Sequence, residues 1–467
     1  MPTSRLCIDL SAVEHNVATL RHILGGTSEK NRPDSAKGHH PAICAVIKQD
    51  AYGLGAPRLA RKLSQLGIDL LAVYSLDEAR ALVEVPIKSP ILVLMPVRGI
   101  ERSDPLFSLL VAKRLHLVLH GTQHALELSS FCSKLGLQIP VHVQVDTGMS
   151  RGGCLPPEAI DVVRHAAESS RFLLAGLMTH FSSPGHDEPF TREQAKLFRT
   201  VVDASKPTLT TLAKSGGKPV MVHAANSAAA LRSASWHATM VRIGQGLFGF
   251  AAEDLTGEAP AEFAAAASAL THAVRWLAPI VHLHDIPATW PVGYNRTWRA
   301  RRESRIGVVP VGYANGYPIQ LGNQSVVRLT GRSYPKVGDS TTPQLTLMPR
   351  TDSGQGMYAP VVGRISMDQI TIDLTDVPEH LCRPGMEVEL VGTERDAPNA
   401  LPQLASRAGT ITHALLCGIA ASVERTFVVS QQEVPAASAV IPPRIAPVMT
   451  QGMNQALNQV PSQRAAL

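Results

Sequence analysis

Short apolar runs recur along the first half of the chain, and amphipathic stretches separate them at intervals of roughly 25 to 40 residues. The runs are continuously apolar, as strands buried on both faces are, whereas the intervening stretches repeat apolar positions at helical spacing. Strand and helix in alternation predict a parallel sheet, and about eight repeats predict a closed (β/α)8 barrel of the TIM type, with a doubly wound open sheet as the alternative. The predicted strands are 42–47, 69–73, 90–95, 115–119, 140–145, 173–178, 219–222 and 241–248, and helices between them include Ala56–Leu66, Leu76–Val83, Pro157–Ala167 and Arg192–Ala204.

The pattern changes at about residue 270 to short alternating strands with turn signals, which predicts a second, mainly β domain. The fold class is therefore α/β, with a barrel domain over 1–268, a β domain over 269–428 and a Pro-, Gln- and Ala-rich tail over 429–467 that we expect to be disordered. The first strand, at about 5–10, can pair with the β domain. Two segments read as inserted loops of unassigned role, 27–40 and 331–357. The strands predicted in the second domain are Ile280–Leu283, Ser304–Pro310, Ser325–Leu329, Tyr358–Val362, Gln369–Leu374 and Glu387–Leu390, after a bridging helix at Ala259–Ala273.

Length and composition agree with two globular domains. The chain has 467 residues, 45% of them hydrophobic and 18% charged, and no apolar run approaches the length needed to span a bilayer. The start of the chain lacks the apolar core of a secretory signal, so we expect a cytoplasmic protein with no membrane partner. Six cysteines without metal-ligand spacing indicate reduced thiols and no metal site. The net charge of +6 is dispersed, and the cluster at 299–302 favours a solvated loop over a nucleic-acid surface.

Candidate chemistry follows the predicted strands. Lys48, Arg151, His180 and Ser227 each come just after one of them, and barrel active sites gather at the carboxyl ends of the strands. An amine that ends a buried strand loses part of its hydration, which lowers the amine pKa and suits Lys48 to Schiff-base or proton-transfer chemistry. A solvated lysine at the end of a strand is the alternative interpretation.

Several sequence blocks occur in the order found in one enzyme family. The run Ala-Val-Ile-Lys-Gln-Asp-Ala-Tyr-Gly-Leu-Gly at 45–55 resembles the signature of the alanine racemase family, fold-type III enzymes that use pyridoxal 5'-phosphate (PLP). The resemblance extends from the start of the chain to about Arg425. Its other blocks lie at 8–10, 15–16, 146–151, 178–181, 223–227, 241–244, 291–294, 311–318 and 362–368.

The resemblance implies a two-base racemisation. PLP acts as an electron sink, and two proton carriers lie on opposite faces of a planar intermediate. Lys48 is implied to act on the D-enantiomer and Tyr294 on the L-enantiomer. A tyrosine phenol is a weak base at neutral pH unless positive charge stabilises its anion, a role that His180 and Arg242 are implied to fill. A tyrosine packed at a turn is the alternative interpretation of Tyr294.

The remaining site residues are also implied by the resemblance. Arg242 faces the pyridine nitrogen, and because an arginine keeps its proton, it limits delocalisation and side reactions. Substrate carboxylate recognition is assigned to Arg151 and the main-chain amide of Met367. A core methionine is the alternative interpretation of Met367, because a backbone contact leaves no side-chain signature. The family arrangement implies a head-to-tail homodimer in which the partner supplies Tyr294, Tyr313 and Met367. The residues implied to hold PLP are Lys48, Tyr52, His180, Asn226, Ser227, Arg242, Gly244 and Gln245.

The sequence departs from the family pattern at two positions. Gln144 stands where many relatives have a carbamylated lysine that orients the substrate-binding arginine, which leaves the positioning of Arg151 and the substrate preference open. His413 stands where relatives place a phosphate-contacting tyrosine, and its reach is shorter. Neither change removes a proton carrier.

The sequence therefore predicts a cytoplasmic, PLP-dependent alanine racemase that supplies D-alanine for peptidoglycan and takes a small amino acid as its substrate. A broad-specificity racemase acting on serine and alanine is the nearest alternative, because of Gln144. Fold-type III decarboxylases share the barrel and the lysine but not the block around Tyr294. A non-catalytic PLP-binding protein is the alternative from a different class.

Overall fold

The computed structural model describes residues 4–26, 40–250, 261–333 and 357–429. The predicted tail and most of both inserted loops lie outside these ranges. The strands are β1 (Arg5–Asp9), β2 (Ala42–Val46), β3 (Leu70–Val73), β4 (Ile91–Val93), β5 (Leu115–Leu119), β6 (Ile139–Gln144), β7 (Phe172–Met178), β8 (Met221–His223), β9 (Met240–Ile243), β10 (Val274–Pro279), β11 (His282–Ile286), β12 (Pro291–Val292), β13 (Trp298–Arg299), β14 (Ser304–Val309), β15 (Val326–Ser333), β16 (Tyr358–Pro360), β17 (Ile370–Asp373), β18 (Met386–Val391) and β19 (Glu424–Val428).

The helices alternate with the strands through the first half of the chain. They are α1 (Leu10–Gly26), α2 (Lys48–Gly53), α3 (Ala56–Gln65), α4 (Leu76–Arg80), α5 (Phe107–Val111), α6 (Thr122–Leu135), α7 (Pro156–Glu168), α8 (Glu188–Lys214), α9 (Ser227–Ala230), α10 (Ala261–Ala269), α11 (Leu401–Arg407) and α12 (Thr412–Cys417). Segment α2 is not a regular α-helix, since its backbone from Gln49 to Tyr52 is left-handed.

Strands β2 to β9 are parallel and close into a barrel, in which β9 pairs back onto β2. The predicted (β/α)8 barrel is thus confirmed. The last strand ends earlier than predicted, at Ile243, because Gly244 leaves the extended conformation with φ −112° and ψ −97°. The next residues, Gln245–Phe248, form a 3-10 turn that borders the barrel mouth.

The barrel has apolar packing on both faces of its sheet. Alternate strand residues fill the interior, whereas the others pack against the surrounding helices, so the strands read as continuous apolar runs. The apolar side chains of the interior cluster are Cys44, Leu70, Ala72, Leu92, Val118, Met178 and Met240. Because this interior is filled, the open end of the barrel is the place left for a site.

The predicted mainly β domain is also confirmed. It holds a six-stranded sheet in the order β16-β15-β18-β10-β1-β19, a three-stranded sheet β11-β14-β17 and the ribbon β12-β13. Strand β1 pairs antiparallel with β10 and parallel with β19, so the first strand of the chain lies between two strands from the C-terminal half. Strand β10 was not predicted, because four of its six residues are buried in a row and give no alternation.

No helix within the described ranges is both long and apolar enough to cross a membrane. All six cysteines fall within these ranges, and none forms a disulfide.

Candidate active site at the mouth of the barrel

A cavity of about 960 Å³ lies at the carboxyl ends of the barrel strands. Nine of the twelve site residues predicted from the sequence line it, and they reach it from the ends of five different strands and the segments that follow them. These nine residues are Lys48, Tyr52, Arg151, His180, Asn226, Ser227, Arg242, Gly244 and Gln245. The structure therefore brings together residues that are spread over almost 200 positions of sequence.

Lys48 begins a left-handed turn directly after β2. Four successive residues without a glycine, Gln49 to Tyr52, have φ between 52° and 61°. Such a conformation places Cβ close to the following carbonyl oxygen and costs roughly 1–2 kcal/mol per residue. The turn therefore needs contacts from outside itself, and strain of this kind collects at functional sites.

Several polar contacts hold this turn. Its first free amide, on Gln49, donates to the Oε1 atom of Glu78 over 3.1 Å, and the second oxygen of Glu78 accepts from the amide of Tyr74 over 2.7 Å. At the other end, Asp50 Oδ1 accepts from the amide of Ala56 over 2.6 Å. The Glu78 carboxylate thus joins the Lys48 turn to the segment that follows β3.

The amine of Lys48 has a perturbed environment. Burial lowers the Lys48 pKa, and the nearby positive charge of Arg151 lowers it further, whereas Glu78 and the Cys417 thiol act in the opposite direction. A lowered amine pKa makes the neutral, nucleophilic form accessible near neutral pH.

Arg151 is carried by a loop between β6 and α7. A single carboxylate oxygen, Oδ1 of Asp146, accepts hydrogen bonds of 2.9, 3.0 and 3.0 Å from the amides of the three residues Gly148, Met149 and Ser150. The loop closes where the amide of Cys154 donates to the Gln144 carbonyl over 3.0 Å. These contacts fix the backbone on both sides of Arg151, which lines the cavity.

Gln144 contacts the same loop through its side chain. Its amide nitrogen donates to the carbonyl of Gly152 over 2.8 Å. Gly153 has φ +103°, and a Cβ there would lie 2.7 Å from the Gln144 carbonyl oxygen. Gln144 therefore acts on the backbone that follows Arg151.

Arg242 is a buried cation, with only 4% of the residue exposed. Its guanidinium donates to the carbonyls of Thr179, His223 and Ala224 over 2.7, 3.0 and 3.0 Å, and Nη2 lies 3.2 Å from His180 Nδ1. Burial lowers the Arg242 pKa to about 10, which still leaves the side chain charged at neutral pH. His180 and Arg242, both of which the resemblance implies near Tyr294, thus lie next to each other.

A chain of three histidines continues from Arg242 into the barrel interior. His223 Nδ1 lies 3.1 Å from Arg242 Nη1, and 3.0 Å separates the facing ring nitrogens of both His223 and His142 and of His142 and His116. Gly176 provides the space, since a Cβ there would lie 2.0 Å from His142 Nδ1. Burial lowers the pKa of His116 to about 4 and the pKa values of His142 and His223 well below the usual range, so the chain is neutral at pH 7.

Small residues and hydroxyl groups form another part of the cavity wall. Ser227 Oγ accepts from the amide of Gly244 over 3.0 Å and from that of Gly246 over 3.3 Å. A Cβ on Gly244 would lie 2.0 Å from the Tyr52 hydroxyl oxygen, so glycine is required for this approach. His413 Nδ1 lies 3.2 Å from Gln245 Oε1 at the same wall.

The other three predicted residues, Tyr294, Tyr313 and Met367, do not line the cavity of their own chain. They lie in the β domain, 66%, 42% and 54% exposed. The amide of Tyr313 donates to the Ser366 carbonyl over 3.1 Å, which places the Tyr313 turn beside Met367. Three polar or adaptable side chains are thus presented to the outside of the chain.

Sequence reasoning missed some cavity residues, among them Tyr74, Met95 and His120. Tyr74 and His120 directly follow β3 and β5, so the rule that identified Lys48 and His180 could have found them. His120 Nε2 lies 3.0 Å from the Leu94 carbonyl oxygen, and burial lowers the His120 pKa to about 4.

Within the described ranges, no group of three or more His, Cys, Asp or Glu side chains could hold a metal ion.

Comparisons with known proteins agree on one family. The family model of the alanine racemase N-terminal domain matches residues 8–252, and the model of the C-terminal domain matches residues 273–354 and 348–427. The alanine racemase of Halothermothrix orenii is 31% identical over 422 residues, which cover 90% of this chain and 95% of that protein. The alanine racemase of Sorangium cellulosum is 32% identical over 435 residues, 91% of this chain and 99% of that protein.

Solved structures are similar over the same length. The alanine racemase of Streptomyces coelicolor A3(2) is 26% identical with a TM-score of 0.70, and the match covers 91% of this chain and 98% of that one. A Bartonella henselae alanine racemase with covalently bound pyridoxal phosphate is 23% identical with a TM-score of 0.68, and the match covers 92% of this chain and all of that one. This match shows a similarity of fold.

Proposed function

The chain belongs to the alanine racemase family, and we propose that it is a PLP-dependent alanine racemase in which Lys48 and Tyr294 are the two proton carriers. The observation that carries this proposal is the convergence of Lys48, Arg151 and Arg242 on one cavity at the barrel mouth. Amine, carboxylate-binding cation and buried cation are the three groups that the reaction needs from the barrel.

The residues present fit PLP. When bound, the cofactor supplies an electron sink for the charge left by removal of the Cα proton. Lys48 would hold its aldehyde carbon and Arg242 would face its ring nitrogen, while Ser227 and Tyr52 would hold its phosphate. The cradle formed where Tyr52 approaches Gly244, which a single Cβ would fill, supports the phosphate assignment. The backbone of Gly244 and Gln245 and the side chain of Asn226 complete the set.

Arg242 would keep its proton throughout the reaction. Three backbone carbonyls and two imidazoles accept from or face its guanidinium, and burial lowers its pKa only to about 10. A permanently charged donor at this position would keep the ring nitrogen of the cofactor unprotonated. His180, which lies 3.2 Å from Arg242, would hold the same face of the site in place.

Lys48 would hold or release a proton at Nζ on one face of the substrate. Its lowered pKa allows the neutral amine to accept a proton near neutral pH. Tyr294 would do the same at its phenolic oxygen on the opposite face. A single base tends to return the proton to the side it left, so the inversion needs both.

Tyr294 would come from a second copy of the chain. The cavity lacks Tyr294, Tyr313 and Met367, and all three are exposed on the β domain. A head-to-tail homodimer in which each β domain covers the partner's barrel mouth would bury these side chains and complete two sites. The exposure of a tyrosine, a methionine and a second tyrosine on one domain supports this arrangement, since such residues are enriched in interfaces.

The substrate carboxylate would bind Arg151 and the main-chain amide of the partner's Met367. Gln144 is a neutral amide that stabilises the loop after Arg151 by donating to the Gly152 carbonyl. We therefore also propose the broad-specificity racemase as the alternative. A neutral amide at this position makes serine the first further substrate to test.

We also propose the setting and the domain division. The barrel domain extends over 1–268, apart from β1, which pairs with β10 and β19, and the β domain extends over 269–428. The division is supported by a last barrel strand that ends at Ile243 and a sheet strand, β10, that begins at Val274. The enzyme would work in the cytoplasm and supply D-alanine for peptidoglycan.

The test is a racemisation assay on the full chain loaded with PLP. L-Alanine should lose its optical activity, and borohydride should fix the cofactor on the Lys48 peptide. Parallel kinetics with serine and lysine separate the narrow from the broad specificity. Full turnover of alanine by a Lys48→Ala variant would overturn the proposal.

A further inference from the structure

Polar contacts hold the left-handed turn after Lys48 at both of its ends. At its exit, the Ala56 amide donates to Asp50 and the guanidinium of Arg425 donates to the Gly53 carbonyl over 2.9 Å. Asp50 belongs to the turn, whereas Arg425 comes from the last described strand, β19. The exit is therefore stabilised by a side chain of the turn itself and by a side chain of the β domain.

The entry of the turn, next to Lys48, depends on Glu78. The Gln49 amide and the Gln49 side-chain amide donate to Oε1 of Glu78 over 3.1 and 3.3 Å. Oε2 accepts from the Tyr74 amide over 2.7 Å. Both carboxylate oxygens are thus used, one on the Lys48 turn and one on the neighbouring barrel loop.

The backbone of Glu78 is itself fixed. Helix α4 begins with Ser75 as its N-cap, and the Ser75 hydroxyl oxygen accepts from the Glu78 amide over 3.3 Å. Asp77 and Arg80 of the same helix form an ion pair that faces away, with Asp77 89% exposed. The Glu78 carboxylate is therefore delivered to the turn from a capped helix end.

The titratable groups near the Lys48 amine come from different elements. Arg151 approaches from the loop after β6, Cys417 from the end of α12, and Glu78 from α4. His180, after β7, is also within electrostatic range of Lys48. Among these groups Glu78 is the carboxylate, so its negative charge partly offsets the effect of Arg151 on the Lys48 amine.

We propose that Glu78 is the positioning residue of Lys48: its carboxylate holds the amide next to the lysine and places a negative charge at the start of the Lys48 turn. This inference rests on the proposed function, in which Lys48 is the cofactor-binding amine. Glu78 does not line the cavity, so it acts through Gln49 and through its field.

The test uses the full-length protein freed of PLP and does not require racemisation. Competitive acetylation over a pH series, read by mass spectrometry of the Lys48 peptide, measures the titration of this amine. In Glu78→Gln the Lys48 titration should move to lower pH by about 0.5 to 1 unit, so its acetylation near neutral pH rises roughly threefold to tenfold. PLP affinity should fall in the same variant.

Glu127→Gln is the matched control, because Glu127 also accepts from an amide side chain and pairs with an arginine, Arg98, outside the cavity. It should leave the Lys48 titration unchanged. A purely structural role for Glu78 would lower the thermal midpoint without moving the Lys48 titration, and that result in a folded Glu78→Gln protein would overturn the proposal.

Glu78→Asp covers the case in which Glu78→Gln does not fold. This variant keeps the charge but shortens the reach to Gln49, so the Lys48 titration should change little while PLP binds at least threefold more weakly. Wild-type PLP affinity in Glu78→Asp would overturn the positioning role. Failure of racemisation with an intact effect on Lys48 titration would instead contradict the proposed function alone.

Discussion

Arg242 Nη1 lies 3.1 Å from His223 Nδ1, and because a guanidinium can only donate, His223 must accept at Nδ1 and carry its hydrogen on Nε2. The same hydrogen-bonding constraint applies along the row of histidines. His223 Nε2 donates to His142 Nδ1, and His142 Nε2 donates to His116 Nδ1. One buried cation therefore sets the tautomer of three neutral imidazoles.

The neutral histidine chain predicts that the folded state is sensitive to acid. Unfolded histidines have a pKa of about 6.5, whereas burial lowers that of His116 to about 4, so below pH 6.5 the unfolded protein binds more protons. Stability present above pH 6.5 should be lost as the pH falls toward 4. The His116 shift alone corresponds to about 3 kcal/mol. Denaturant unfolding of the PLP-free protein at a series of pH values measures the loss.

His116→Gln separates this loss from that of carboxylates. Glutamine keeps an oxygen that can accept from His142 but does not titrate, so stability should fall less between pH 6.5 and 4 than in the unsubstituted protein. His22→Gln, on an exposed part of α1, is the control. An unchanged pH dependence in His116→Gln would show that this imidazole is not the source.

Arg151→Lys should weaken alanine binding. Lysine keeps the charge but loses the planar, bidentate geometry that suits a carboxylate, so KM should rise by roughly 10- to 100-fold with a smaller change in kcat. Steady-state kinetics in both directions measure the split. Arg164→Lys, on the exposed side of α7, should leave both constants unchanged, and so would Arg151→Lys if the arginine does not bind substrate.

Gly244→Ala should weaken PLP binding. The new Cβ would lie 2.0 Å from the Tyr52 hydroxyl oxygen and 3.1 Å from its ring, so the tyrosine must leave the cradle. We expect at least a tenfold loss of affinity, on the order of 1.4 kcal/mol, in a titration of the PLP-free protein followed by cofactor absorbance. Gly136→Ala, where a Cβ would meet nothing within 4 Å, is the control. Equal affinities in the two variants would count against the cradle.

Tyr294→Phe should lose racemisation and retain PLP. Loss of a general acid or base costs roughly 10²- to 10⁴-fold in rate. Tyr294 is not among the groups proposed to hold PLP, so cofactor loading should be retained. The measurement combines alanine kinetics with the PLP content of the purified protein. Tyr358→Phe, in β16, should behave as the unsubstituted enzyme.

The sequence revealed the barrel because its strands, buried on both faces, appear as continuous apolar runs, and its amphipathic helices repeat apolar positions at helical spacing. Lys48, Arg151, His180 and Ser227 could be located since they follow such strands. The left-handed turn after Lys48 could not, because four non-glycine residues with positive φ go against local preference and are held by distant groups.

Long-range pairings were also beyond the sequence. The histidine chain joins positions 116, 142 and 223, and its members look like ordinary polar interruptions of apolar strands. Gln144 was noticed as a departure from a pattern, but only the structure shows its contact with the Gly152 carbonyl. Tyr294 could be found from its sequence block, although its place outside the cavity depends on the arrangement of two domains.

The central claim, that Lys48 and Tyr294 of different subunits flank one substrate, is tested most directly by mixing two inactive proteins. Lys48→Ala and Tyr294→Phe subunits are unfolded together and refolded, and alanine racemisation is measured. Random pairing makes half of the dimers hybrids, and each hybrid has one site with both residues intact, so about a quarter of unsubstituted activity should return. Mixtures that remain as inactive as either parent, although mass spectrometry detects hybrid dimers, would contradict the account.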